Sequence, residues 1–184
     1  MARILGISGS LRAGSLNTAL LRAAQLLMPD DVELEIATLH GIPLYDGDVE
    51  QRDGIPAAVV TLRAQIIAAD GVILASPEYN NSVPGVLKNA IDWLSRPPSE
   101  IPRTFGNKPY AVMGASMSGF GTILAQNAWL SVLRHLGARQ WGSGRLLVSK
   151  AQQSFDATGK LTDEAVAKQL GEFVNGFAAF ATRS

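Results

Sequence analysis

The chain has 184 residues, 47% of them hydrophobic, with 16 basic and 16 acidic side chains and no cysteine. Balanced charge offers no handle for nucleic acid or an anionic membrane, and the lack of cysteine excludes disulfides, thiol catalysis, thiolate metal sites and iron–sulfur clusters. His40 and His135, the two histidines, cannot form a His-Glu-x-x-His zinc site and argue against a histidine-based hydrolase triad.

Arg3–Ser8 reads as a buried strand. It runs into Ser8-Gly9-Ser10-Leu11-Arg12-Ala13-Gly14-Ser15-Leu16-Asn17-Thr18, which opens a helix. Leu16, Leu20, Ala24, Leu27 and Met28 recur at helical spacing, and Pro29 stops them. A strand, a glycine-bearing turn and a helix start together form an anion site, because free backbone N–H groups and the positive helix end face one point. The hydroxyls of Ser8, Ser10, Ser15 and Thr18, the Asn17 amide and the Arg12 guanidinium surround it. The plainer alternative is a surface turn whose serines only cap the helix. There is no Gly-Lys-Ser/Thr for a triphosphate and no Gly-x-Gly-x-x-Gly for a dinucleotide. Moreover, the next strand ends in Ala37-Thr38 without an acid for a ribose diol. A phosphate monoester fits best.

Val32–Ile36 alternates apolar and polar residues, as at a sheet edge. His40 precedes Gly41 and reads as a turn residue. The acidic run Asp46, Asp48, Glu50, Asp53 reads as a solvated loop, with a lid over a site as the alternative. Ile55, Val59, Leu62 and Ile66 mark a helix with Pro56 in its first turn. Val72–Ser76 is an apolar strand. Val83, Leu87, Ala90, Ile91 and Leu94 mark a helix, with Ser82 or Val83 as cap and Pro97-Pro98 as its stop. Tyr110–Ala115 is a strand, Thr122–Leu136 a helix closed by Gly137, and Arg145–Val148 a weaker last strand. Val166, Leu170, Phe173, Val174 and Phe177 form a final helix, with Thr162 as cap and Asp163 and Glu164 in the first turn.

Five strands alternating with five helices predict an α/β three-layer sandwich with a parallel sheet, spanning residues 1–184 as a single domain. The half-polar second strand and the weak fifth suit the two edges, giving the order 2-1-3-4-5. Ligands then bind beyond the carboxyl ends of strands 1 and 3, with the loop after strand 4 alongside. After strand 3, Ser76-Pro77-Glu78-Tyr79-Asn80-Asn81-Ser82-Val83-Pro84-Gly85 is stiffened by two prolines. It offers fixed backbone groups and flat apolar surface to a planar ring, or serves as a rigid helix entry. After strand 4, Gly114-Ala115-Ser116-Met117-Ser118-Gly119-Phe120-Gly121-Thr122 passes close to the same place. One phosphate-like loop and two ring-like loops describe a mononucleotide with a planar ring, as flavin mononucleotide (FMN) is. No apolar run approaches about 18 residues, so no membrane span is expected. The chain enters a strand straight after Met1-Ala2-Arg3; no signal peptide is expected, and a cytoplasmic protein is.

Gly9-Ser10-Leu11-Arg12-x-x-Ser15-x-Asn17, Pro77-Glu78-Tyr79-Asn80 and Gly85-Val86-Leu87-Lys88-Asn89-Ala90-Ile91-Asp92-Trp93 resemble the NADPH-dependent FMN reductase family, above all its bacterial quinone, chromate and azo-compound reductases. The resemblance runs from Ile4 to about Phe180. It implies a flavodoxin-like fold and one non-covalent FMN, with NADPH or NADH as electron donor. Ser10, Arg12, Ser15, Leu16, Asn17 and Thr18 would hold the phosphate. Pro77, Glu78, Tyr79 and Asn80 would lie along the isoalloxazine, with Ser116 and neighbouring glycines such as Gly119 closing the other side. It further implies ping-pong hydride transfer through the flavin to small acceptors such as quinones, flavins, chromate or azo compounds. No side chain need be catalytic and no metal is expected. A homodimer or homotetramer follows, with the helix starting near Val83 at the interface and the Glu78 side chain bridging to the next subunit. Many relatives carry tyrosine where this chain has Asn81, which questions any role of that ring here.

A flavodoxin-type electron carrier without nicotinamide turnover is the alternative activity, although balanced charge lacks an acidic docking face. A flavin-free module is the third. Lys88 and Asp92 form either a surface ion pair or a contact across a dimer. Trp93, Trp129 and Trp141 belong in the core or an interface, His135 sits at a helix end, and Arg96 and Arg103 are candidates for the NADPH phosphate.

Overall fold

The computed structural model describes residues 1–183, so residue 184 of the expected domain lies outside them. A parallel sheet forms from β1 (Ala2–Ser8), β2 (Val32–Ala37), β3 (Gly71–Ala75), β4 (Pro109–Ala115), β5 (Arg139–Gln140) and β6 (Leu146–Val148). Its order is β2-β1-β3-β4-β5, with β6 also pairing β4. The helices are α1 (Leu16–Gln25), α2 (Gly47–Asp53), α3 (Ala57–Ala68), α4 (Gly85–Leu94), α5 (Ile101–Thr104), α6 (Ile123–His135) and α7 (Glu164–Ala181). None is long and apolar enough to cross a membrane among the described residues.

Strand alternation divides the core into two layers. Ile4, Ile73, Ala111 and Met113 face α1 and α7, meeting Leu20, Leu21, Phe173 and Phe177. Leu5, Ile7, Val72, Leu74 and Tyr110 face α3, α4 and α6, meeting Leu62, Ile66, Leu87, Ile91 and Trp129. Hydrophobic faces on both sides explain why β3 is apolar throughout, whereas edge strand β2 alternates.

The sheet has six strands rather than five: the expected last strand is β6, and the two-residue strand β5, which no apolar pattern marks, pairs β4 ahead of it. Pairing along β4 stops at Tyr110 opposite Gln140 and resumes at Met113 opposite Leu146. Between them Trp141 turns into the core, its ring 5.1 Å from that of Phe173 and 5.7 Å from that of Phe177. Gly144 and Gly176 make room for it, since a Cβ on either would press into the indole.

Other boundaries shift for local reasons. The acidic run is helix α2, not a loop: Asp46 caps it, its carboxylate accepting from the Asp48 N–H at 2.9 Å. Acids at a helix start favour it without any apolar stripe. The cap of α7 is Asp163, which accepts from the Ala165 and Val166 N–H groups, in place of Thr162. Pro56 and Pro84 sit just outside α3 and α4, with no side-chain cap. Trp93 and Trp129 are fully buried, and His135 lies in the last turn of α6. Lys88 and Asp92 pair at 2.7 Å on α4.

Candidate functional site

The carboxyl ends of β1, β3 and β4 open into one cleft. Ser10, Arg12, Ser15, Leu16, Asn17, Pro77, Glu78, Tyr79, Ala115, Ser116 and Met117 line it. Of the residues expected there, Thr18, Asn80 and Gly119 lie outside the lining, whereas Ala115 and Met117 join it.

The first wall is the turn after β1. Gly9 donates to Ala75 O at 2.9 Å, and a Cβ there would come within 2.8 Å of Pro77 and 2.9 Å of Leu87, so only glycine lets the two loops meet. Ser15 caps α1, its Oγ accepting from the Thr18 N–H at 3.2 Å. Ser10 Oγ accepts from the Arg12 N–H at 3.3 Å. Each hydroxyl therefore keeps its proton free to donate. Thr18 Oγ1 turns away to Ser8 Oγ, 2.7 Å off. Among the described residues, the backbone N–H groups of Ser10, Leu11, Leu16 and Asn17 have no hydrogen-bond partner. Ser10 and Asn17 are about as buried as core residues, at 5% and 4% exposure. N–H groups at a helix start have no partner within the helix and are met by water or by a ligand. Arg12 is exposed, and none of the ion pairs among the described residues includes it.

The Asn17 side chain does other work than expected. Its Nδ2 donates to Ala115 O and its Oδ1 accepts from the Ala115 N–H, both at 2.9 Å. The amide therefore ties the start of α1 to the end of β4, and Asn17 offers the cleft its backbone N–H. His40 reaches the same turn, its Nε2 3.2 Å from Leu11 O and its Nδ1 3.2 Å from Thr38 Oγ1.

The second wall comes from the loops after β3 and β4. Ser76 is pinned by Trp129, whose indole N–H donates to Ser76 Oγ at 2.8 Å. Tyr79 and Ser82 exchange two backbone bonds of 3.1 Å around Asn80 and Asn81, whose φ values are 50° and 61°. Two successive left-handed residues make a tight reversal that asparagine accepts far better than an aromatic residue does. Asn81 thus suits the backbone here. Glu78 does not point away from the molecule: its Oε2 accepts from the Leu124 and Ala125 N–H groups of α6 at 2.8 and 3.0 Å. Ser116 is held by Val148, to whose carbonyl it donates at 2.9 Å.

The candidates for a nicotinamide phosphate are engaged elsewhere. Arg96 Nε donates to Glu50 Oε2 at 2.9 Å, and Tyr45 Oη donates to the same oxygen at 3.0 Å. The Arg96 hydrogen bond holds the Glu50 carboxyl below its ordinary pKa. Arg103 stands 3.9 Å from Glu100. Among the described residues, no cluster of His, Asp and Glu could hold a metal ion.

A family model described as NADPH-dependent FMN reductase matches residues 2–153. The chain is 48% identical over 162 residues to an NAD(P)H-dependent FMN reductase of Pseudomonas aeruginosa, covering 88% of this chain and 85% of that one. It is 36% identical over 183 residues to a quinone reductase of Escherichia coli, covering 98% and 96%. The solved structure of FerB, a flavoenzyme NAD(P)H:(acceptor) oxidoreductase of Paracoccus denitrificans, superposes with a TM-score of 0.87 at 32% identity, covering 98% and 97%. The flavodoxin-like sheet and the match along most of the chain lead to one conclusion: the protein belongs to the NADPH-dependent FMN reductase family.

Proposed function

We propose that the protein is an FMN-dependent NAD(P)H oxidoreductase that reduces quinones, flavins or similar small acceptors, and that the whole chain acts as one FMN-binding domain. The observation that carries this is the cluster of unpartnered N–H groups at Ser10, Leu11, Leu16 and Asn17, at the positive end of α1 and beside an exposed Arg12. A dianionic phosphate monoester satisfies those donors and complements the helix dipole. Hydroxyl protons of Ser10 and Ser15 add two further donors. The Arg12 guanidinium neutralises charge from the solvent side.

The second wall fits the ring. Pro77 and Tyr79 supply flat apolar surface, and Ser116 and Met117 line the same cleft. When bound, FMN supplies a carrier that accepts two electrons from a reduced nicotinamide and passes them to an acceptor. The chain's own residues hold, orient and polarise; Glu78 is the sole carboxylate in the lining, and both bonds to its Oε2 come from backbone donors. Tyr79 and Met117 of the cleft lining are exposed, at 44% and 61%, as are Phe120 at 81% and Leu124 of α6 at 44%. Large apolar side chains left open in this way favour a second copy of the chain as cover, giving a homodimer or homotetramer. The absence of a membrane-crossing helix among the described residues fits a cytoplasmic enzyme.

Anaerobic mixing of the FMN-loaded protein with NADPH, then with NADH, tests the activity. Bleaching of the flavin, followed by recovery of its colour on adding a quinone, is expected. A flavin that stays oxidised with both donors would instead mark an electron carrier.

A further inference from the structure

Helix α6 begins without a cap of its own. Thr122 precedes it, yet its side chain makes no capping bond. Its Oγ1 accepts from Gln126 Nε2 at 3.0 Å instead, and Thr122 is wholly buried against Gly114. The first turn of α6 also lacks an acidic residue. The missing acceptor comes from the loop after β3. Glu78 Oε2 meets the Leu124 N–H at 2.8 Å and the Ala125 N–H at 3.0 Å. This is a helix cap supplied from 46 positions away, and its carboxylate also complements the positive helix end.

The clamp joins the two segments that together form the second wall, beside the proposed ring site. On one side, Glu78 stands between Pro77 and the left-handed pair Asn80-Asn81. On the other, α6 ends the segment that begins at Ser116. Ser116 is anchored to Val148, so the Glu78 bonds fix the far end of that segment. We propose that Glu78 is a positioning residue: its carboxylate caps α6 from the loop after β3 and thereby sets the spacing of the two loops that form the second wall of the cleft. It is neither a proton donor nor a bridge to another subunit. The proposal rests on the flavin reading for its effect on FMN, but the cap itself does not.

Three variants separate reach, acceptor and charge. E78Q keeps an acceptor at full reach without the charge, E78D keeps the charge but falls one methylene short, and E78A keeps neither. Amide hydrogen exchange on the FMN-free protein reads the cap directly. Exchange at Leu124 and Ala125 should rise about tenfold in E78D and E78A and about threefold or less in E78Q. On loading, FMN affinity should follow the same order, while the pH profile of kcat keeps the same limbs in every variant. Unchanged exchange at those amides in E78D and E78A would overturn the proposal. So would E78Q as impaired as E78A together with a lost limb of the pH profile, which marks a general acid. Failure of every variant, and of the parent, to take up FMN would sink the flavin reading alone, since the exchange result stands without it.

Discussion

The two walls of the cleft are held together in opposite ways. The wall after β1 is shaped mainly by short-range side-chain bonds, with Arg12 bonded to Ser10, Thr18 to Ser15 and Ser8 to Thr18, although Gly9 also reaches Ala75 and His40 reaches Leu11. The wall after β3 and β4 is assembled by side chains from distant elements: Glu78 to Leu124 across 46 positions, Ser76 to Trp129 across 53, and Asn17 to Ala115 across 98. A local turn keeps its shape when one exposed group is removed. A junction of distant elements transmits any loss to the fold. Variants of the first wall should therefore change ligand affinity more than stability, and variants of the second the reverse.

The strongest challenge to that contrast is Gly114→Ala. A Cβ there would overlap Thr122 Oγ1 and the Ser76 carbonyl, where loop, strand and helix meet. Overpacking against backbone should lower stability by about 3 kcal/mol or prevent folding, read by urea denaturation. A G114A protein of parental stability would break the contrast at once. Asn17→Ala leaves the buried Ala115 N–H and C=O unpaired and should cost about 2–3 kcal/mol by the same measurement. Arg12→Ala should behave in the opposite sense. Stability should stay within about 0.5 kcal/mol, while FMN affinity falls by about 1.5–3 kcal/mol, the scale of a charged hydrogen bond. Titration calorimetry compares the two effects. Ser15→Ala removes a helix cap and one donor together, so a loss of about 1 kcal/mol in stability should accompany weaker FMN binding.

The smallest effect lies away from both walls, at Glu50. Its folded pKa is lowered, chiefly by the Arg96 hydrogen bond. Its contribution to stability is thus complete above the unfolded carboxyl pKa and fades as pH falls through the lower folded value. Melting temperature against pH should show a shallower acid decline in Arg96→Ala than in the parent. Identical acid limbs would remove Glu50 from the acid response.

The same contrast explains what could be read from the amino-acid order. Periodicity located β1 to β4 and the main helices because each carries its own apolar pattern, and the hydroxyl-rich turn of the proposed anion site was legible because it spans about ten residues. Helix α2 escaped because a short helix stabilised by Asp46 and polar side chains has no stripe. Strand β5 escaped because two half-buried residues, Arg139 and Gln140, carry no apolar pattern. The Asn17 amide looked like a ligand donor, and only the fold brings Ala115 beside it. The bonds from Glu78 to α6 could not be read locally, because the helix start they meet comes over 40 residues later.

The phosphate pocket is most directly tested by titrating the FMN-free protein with FMN and with riboflavin, which carries the same ring without the phosphate. Several charge-assisted bonds at the start of α1 should make FMN bind at least about a hundredfold more tightly. Equal affinity for the two would contradict an anion site at Ser10 to Asn17 and with it the assigned orientation of the flavin.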